Sequence, residues 1–199
     1  NTFMQKKLPK IYYFINEINL SDLSKLGKNI HIIYRNYQKR ITHDDLCVLK
    51  KISYNSKKEI FIANDIKLAL KYKLDGIYIP SFNKKINYLS SFSTPKSFKV
   101  IGSAHNLKEI KIKKKQGCKE IFLSPLFRVA KKNNYLNIYN FNKLTSDNDL
   151  RYIALGGINQ KNYKKIVLTK SSGFASISWI KKNGLSKLRP FKCFSTLNN

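Results

Sequence analysis

Short apolar runs recur along the chain at 11–15, 30–34, 59–63, 76–80, 98–103, 120–124, 151–155 and 173–180. Each is brief enough for a buried strand, and turn-forming or polar residues follow each one. The intervening stretches carry apolar positions at helical spacing. A helix opened by Ser21 follows the first run, and one started by Thr42, with Asp45 in capping-box position, follows the second. Ile66, Leu68, Ala69, Leu70 and Leu74 mark one apolar face after the third run. A weak helix is expected around 84–91, a stronger one from Asn106 to a stop at Gly117, and a short one near 139–145. The last two are expected from Asn159 to about Lys170 and from near Gly184 onward. Strands followed by helices imply a parallel sheet, and eight such units imply a closed (β/α)8 TIM barrel in one compact domain. An open doubly wound sheet is the alternative. Residues 1–10 read as an N-terminal extension and 11–195 as the barrel.

Composition narrows the picture. The chain has 199 residues, 42% hydrophobic and 13% aromatic, which is enough for a core and excludes disorder. That length sits near the lower limit of about 200 for such a barrel, so its loops must be short. No apolar run approaches the roughly 20 residues of a membrane span, and the first ten residues do not read as a signal peptide. Cys47, Cys118 and Cys193 are far apart and lack metal-ligand spacing, which points to a reducing, cytoplasmic setting. The formal net charge is +28. It comes almost wholly from lysine: of 39 Lys and Arg only Arg35, Arg40, Arg128, Arg151 and Arg189 are arginines. Lysines spread along a chain rich in Asn and Ile read mainly as compositional background. Their field still favours small anionic substrates, without specific nucleic-acid recognition.

In a TIM barrel the chemistry sits at the C-terminal ends of the strands, and phosphate is often held after strands seven and eight. The polar residues at those ends are Arg35, Asn64, Asp65, Asn83, Ser103, His105, the 124–132 loop, Gly156, Gly157 and Ser178. Gly156-Gly157 ends the seventh run. The pair serves either as a tight turn or as bare backbone N–H groups held open for an anion. Asp65 either caps the following helix or binds a metal. Arg35 either pairs with a carboxylate or binds an anion. His105 reads as orienting the turn after strand five, and Trp179 as packing.

Several ordered stretches, "IYRNYQKR", "IFIANDIKLALKYKLDGIYIP", "VIGSAHNLKEIKIKKKQGCKEIFLSPLF", "YIALGGIN" and "GFASISWI", together resemble the thiamine phosphate synthase and thiazole tautomerase family of small TIM barrels. The resemblance runs from about 11 to 181. It implies an enzyme joining a hydroxymethylpyrimidine diphosphate to a thiazole phosphate with release of pyrophosphate, using Mg2+. By that resemblance Arg35, Ser103 and Lys132 fall on catalytic, diphosphate-handling positions and Asn64 on a substrate-binding one. Gly156, Gly157, Ile177 and Ser178 fall on the thiazole-phosphate cradle. Asp65 falls on a metal position, and Asn83 stands where the family carries a second metal-binding aspartate. Other departures are Ile33, Tyr37, Tyr78, Val129 and Lys131. Pro125 stands at the tautomerase histidine position, so tautomerase activity is not expected.

The leading expectation is thus a Mg2+-dependent synthase with small phosphorylated substrates, a possible homo-oligomer away from membranes. A catalytically degenerate member that binds those compounds without coupling them is the alternative. A basic nucleic-acid-binding protein is supported by charge alone and lacks a groove-reading helix or stacking platform.

Overall fold

A computed structural model describes residues 9–24, 26–27, 29–130, 134–177 and 179–180. The eight strands are β1 (Lys10–Ile15), β2 (Ile30–Tyr34), β3 (Ile60–Ala63), β4 (Gly76–Ile79), β5 (Lys99–Ala104), β6 (Glu120–Leu123), β7 (Arg151–Leu155) and β8 (Gly173–Ala175). They close in sequence order into one barrel. Every neighbouring pair is parallel, including β8 on β1. The expected (β/α)8 architecture is therefore observed, and the open sheet is not.

Among the described residues five α-helices cover the outside: α1 (Leu20–Ser24), α2 (His43–Ser56), α3 (Ile66–Lys71), α4 (Leu107–Lys115) and α5 (Asn137–Leu144). Local chemistry sets their ends. Thr42 accepts the Asp45 N–H at 3.1 Å while Asp45 accepts the Thr42 N–H, forming the expected capping box of α2. At the end of α4, the Cys118 N–H reaches the Lys113 carbonyl and the Gly117 N–H the Lys114 carbonyl, each at 3.0 Å. Gly117, at φ +81°, makes that Schellman stop.

Two expected helices differ. Residues 84–91 form turns, because the Asn83 and Lys85 carbonyls, which a helix would use, accept from the side chain of Gln116, the C-cap of α4, instead. The helix expected over 159–170 shrinks to a 3-10 helix at Tyr163–Leu168. Asn159 and Asn162 bond locally to backbone and hold their segment in a turn. The helix expected from near Gly184 lies outside the described residues.

Period-two alternation divides the strand residues into two cores. Outward side chains such as Ile11, Tyr13, Ile30, Ile32 and Ile121 pack under the helices. Tyr12, Phe14, Ile33, Phe61, Tyr78, Ile101, Phe122, Ile153 and Ala175 fill the barrel interior. Tyr12 meets Phe122 edge-on at 4.9 Å between ring centroids, and Phe14 meets Tyr78 at 5.3 Å. Such contacts add about 0.5–1.5 kcal/mol each beyond the burial of apolar area. Below this aromatic layer, at the N-terminal ends of the strands, charged groups close the floor. Glu120 accepts from Tyr12, from Lys10 at 2.8 Å and from Arg151 at 2.9 Å, and Glu59 pairs with Lys99.

Candidate active site

The strand alternation that puts Tyr12, Ile33 and Ile101 inside carries on, two residues further along, to Phe14, Arg35 and Ser103 at the barrel mouth. The Arg35 guanidinium lies over the Phe14 ring, 4.7 Å from its centroid. Tyr78 donates to the Ser103 Oγ at 2.8 Å. Burial raises the Tyr78 pKa, against the opposing pull of Ser103 and Arg35, so the hydroxyl stays protonated and can donate. Arg35, Tyr78 and Ser103 thus form one polar row on an aromatic bed. A fixed cation above a low-dielectric floor suits a diphosphate group.

Arg35 and Ile177 line a cavity of about 490 Å3 at the mouth, together with Phe14, Glu17, Asp22 and Tyr37. Tyr37 meets Phe82 across the mouth edge-on at 5.3 Å, and both rings are exposed. Asn64 and Asn83 line a second, open pocket of about 260 Å3 with Phe82 and Tyr88. Of the expected site residues, Arg35 and Ile177 therefore line one recess and Asn64 and Asn83 another.

At the ends of β3 and β4, Asn83 Nδ2 donates to Asn64 Oδ1 at 3.0 Å. Asn83 Oδ1 accepts the Lys85 N–H at 3.2 Å, and the Asn64 carbonyl accepts from the Tyr88 hydroxyl. Asn64 itself sits at φ +58°, a conformation Asn tolerates better than most residues. Asp65 is the N-cap of α3, its Oδ1 accepting the Leu68 N–H at 3.0 Å. Asp65 therefore does cap its helix, and its second carboxylate oxygen is the group left to offer a metal. Among the described residues no group of three or more His, Cys, Asp or Glu could hold a metal by itself.

Gly156 and Gly157 have φ of +92° and +71°. A Cβ on Gly156 would lie 2.7 Å from Pro125 Cβ, and one on Gly157 2.5 Å from the Phe127 carbonyl oxygen. Both glycines are required because the loop after β6 lies directly on them. The Phe127 N–H bonds to the Gly156 carbonyl at 3.1 Å, while the Gly157 carbonyl accepts from the Asn162 amide at 2.8 Å. Among the described residues neither glycine N–H has an acceptor, so the turn explains the glycines and leaves two donors for an anion.

Lys132 and Ser178 lie outside the described residues, as does Lys131. His105 accepts no catalytic role: its backbone N–H and Nδ1 both meet Glu109 Oε2, at 2.8 and 3.0 Å, which orients the turn after β5. Trp179 packs on Tyr163 and Phe174. The Cys118 thiol is pushed by burial up to about 12 and is inert as a nucleophile. Phe14 was not singled out from sequence, although it stands in the same inward series as Tyr12, and Tyr78 entered only as a departure from the family. No described helix is long and apolar enough to cross a membrane.

Comparisons with known proteins identify the family and the fold. A family model described as thiamine monophosphate synthase matches residues 24–180. Thiamine-phosphate synthases from two strains of Prochlorococcus marinus are 35% identical over 118 residues and 32% identical over 142. The alignments take in 57% and 68% of this chain but 33% and 34% of those proteins, so the chain spans about a third of their length. The fold matches thiamine phosphate pyrophosphorylase from Pyrococcus furiosus with a TM-score of 0.73, covering 90% of this chain and 91% of that one at 16% identity. At that identity the likeness speaks for the barrel alone. With the family model spanning everything from Ser24, the last residue of α1, to the last described residue, the chain belongs to the thiamine monophosphate synthase family.

Proposed function

We propose that this chain joins a hydroxymethylpyrimidine diphosphate to a thiazole phosphate, giving thiamine phosphate and pyrophosphate. The observation that carries the reading is the Arg35 guanidinium set over Phe14 beside the Tyr78–Ser103 hydrogen bond, at the catalytic end of a barrel of this family. In the reaction the methylene C–O bond breaks and its electron pair leaves with the diphosphate. The thiazole nitrogen lone pair then forms the new C–N bond, so no proton transfer is needed. The protein's task is to neutralise the departing charge and align the nitrogen. Arg35 supplies the fixed positive charge, the hydroxyls of Ser103 and Tyr78 supply hydrogen bonds at the mouth, and Asn64 contacts the pyrimidine substrate. The N–H groups of Gly156 and Gly157, with Ile177 and Ser178, receive the thiazole phosphate, and Lys132 adds a cation from the loop after β6.

Magnesium takes one or two carboxylates and completes its shell with phosphate oxygens and water, a donor set that Asp65 with a bound diphosphate satisfies. Asn83 is at most a weak neutral ligand, since both ends of its amide are engaged within the protein. When bound, the ion would spread the charge that builds on the leaving diphosphate.

The neutral Asn64–Asn83 pair favours a second reading, a member that binds both phosphorylated compounds without coupling them. Incubating the purified chain with both substrates and Mg2+ separates the two. Product that vanishes with chelator supports the synthase; no product with the thiazole phosphate still bound supports the second reading; neither product nor binding overturns both.

A further inference from the structure

We propose that Lys113 of α4 and its C-cap residue Gln116 are positioning residues that clip the connection between β4 and β5 in place and so set Asn83 against Asn64. Lys113 is fully buried, yet the groups it touches are oxygens of neutral amides and not a carboxylate. Its Nζ donates to the Pro80 carbonyl at 2.7 Å, to the Asn83 carbonyl at 2.8 Å and to Gln116 Oε1 at 2.8 Å. The Gln116 amide in turn donates to the Asn83 carbonyl at 3.0 Å and to the Lys85 carbonyl at 2.9 Å. Lys113 and the C-cap residue Gln116 therefore satisfy three carbonyls, those of Pro80, Asn83 and Lys85, in the first part of this connection. The Lys113 stem crosses β5 at Gly102, where a Cβ would lie 2.9 Å from its Cδ.

The reason for such a device lies in the fold. Every other strand from β1 to β7 is followed by a described helix, if only a 3-10 helix after β7. After β4 no described helix forms, and residues 80–98 rest on the barrel through side chains such as Tyr88, Leu89 and Phe92 instead of through a helix. The clip replaces the missing helix. Burial lowers the Lys113 pKa to about 8, and the three oxygens around its Nζ are what offset that desolvation. What it holds is the segment carrying Phe82 at the mouth, Asn83 on Asn64 and Tyr88 on the Asn64 carbonyl. Lys58 is built on the same plan, donating to the Leu26 carbonyl at 2.8 Å and the Gly27 carbonyl at 2.5 Å.

The kinetic consequence rests on the proposed synthase activity, whereas the structural one does not. Lys113→Met keeps an apolar stem on β5 and removes the amine. By amide hydrogen exchange, peptides from 80–98 should exchange about tenfold or more faster while β1, β2 and α2 stay protected, as expected for losing charged donors on buried carbonyls. In the synthase assay KM for the pyrimidine diphosphate should rise about tenfold with kcat changed far less, since the loss is of placement before chemistry. Combining Lys113→Met with Asn83→Ala should cost no more than the worse single variant, because both act through one contact. Unchanged exchange over 80–98, or fully additive losses, overturns the clip. If Lys113→Met does not fold, Gln116→Leu, which removes the amide donors to Asn83 and Lys85, decides by the same exchange measurement. A chain that makes no thiamine phosphate at all but shows the local exchange change retains the clip and loses the synthase reading.

Discussion

Replacing Gly157 by alanine tests whether the glycine pair exists for close packing. Two costs are expected. Alanine at φ +71° pays the left-handed penalty of about 1–2 kcal/mol. Its Cβ also meets the Phe127 and Arg128 carbonyl oxygens at 2.5 and 2.6 Å. Those are backbone atoms, so relief requires moving the loop after β6, an overpacking cost of about 1–3 kcal/mol. Gly117→Ala is the control, since Gly117 has φ +81° and nothing within 4 Å of its would-be Cβ. That variant should lose only the conformational part, about 1–2 kcal/mol. At about 2–4 °C per kcal/mol for a chain of this size, Gly157→Ala should melt at least about 2 °C, and up to about 12 °C, below Gly117→Ala. Calorimetry or circular dichroism reads both midpoints. Equal midpoints would refute the packing argument, because the loop would then yield freely. If the two N–H groups also receive the thiazole phosphate, Gly157→Ala raises KM for that substrate and Gly117→Ala does not.

Three further predictions concern charge. Asp65→Asn retains a good N-cap, so the melting midpoint should hold while Mg2+-dependent turnover falls; Asp65→Ala should in addition lose about 1 kcal/mol of stability. If Asp65→Asn turns over like the parent, the carboxylate is a cap and nothing more. Arg35→Met should lower turnover about a hundred- to a thousandfold with little loss of stability, and a loss below threefold would remove Arg35 from the reaction. At the floor, burial holds His31 below its ordinary pKa, and its Nδ1 accepts the Glu59 N–H at 3.1 Å. Glu59 is also lowered: burial works against its charge, but Lys99, His31 and Lys10 together prevail. Both native pKa values are depressed, so each contribution is present above the unfolded value and lost as pH falls below it, near 6.5 for His31 and then below 4.5 for Glu59. Melting midpoints followed from pH 7.5 to 4 should fall in that order, and His31→Asn should flatten the first limb; an unchanged slope between pH 6.5 and 5 would sink the assignment.

Much of this was legible because the barrel repeats one rule. Once the apolar runs are strands, alternation places Arg35 and Ser103 inward at the mouth, two residues beyond Ile33 and Ile101. The capping box at Thr42 and the stop at Gly117 are short-range chemistry, and they formed as expected. The Asn159–Asn162 turn and the absent helix after β4 were less legible, because side chains there compete for backbone groups that helical spacing alone assigns to a helix. Lys113 was hidden for a different reason. It lies three residues after Ile110, on the buried face of α4, where the pattern calls for an apolar side chain. In a chain with so many lysines, one more attracts no notice. The floor shows the same effect, since Lys10 and Lys99 look like background until Glu120 and Glu59 are found beneath them. Charge composition therefore says little about where a lysine acts, and the helical or strand phase of each one says a great deal. A lysine in the apolar phase must find oxygen partners or lose its charge, so it reports a backbone that the fold needs to hold.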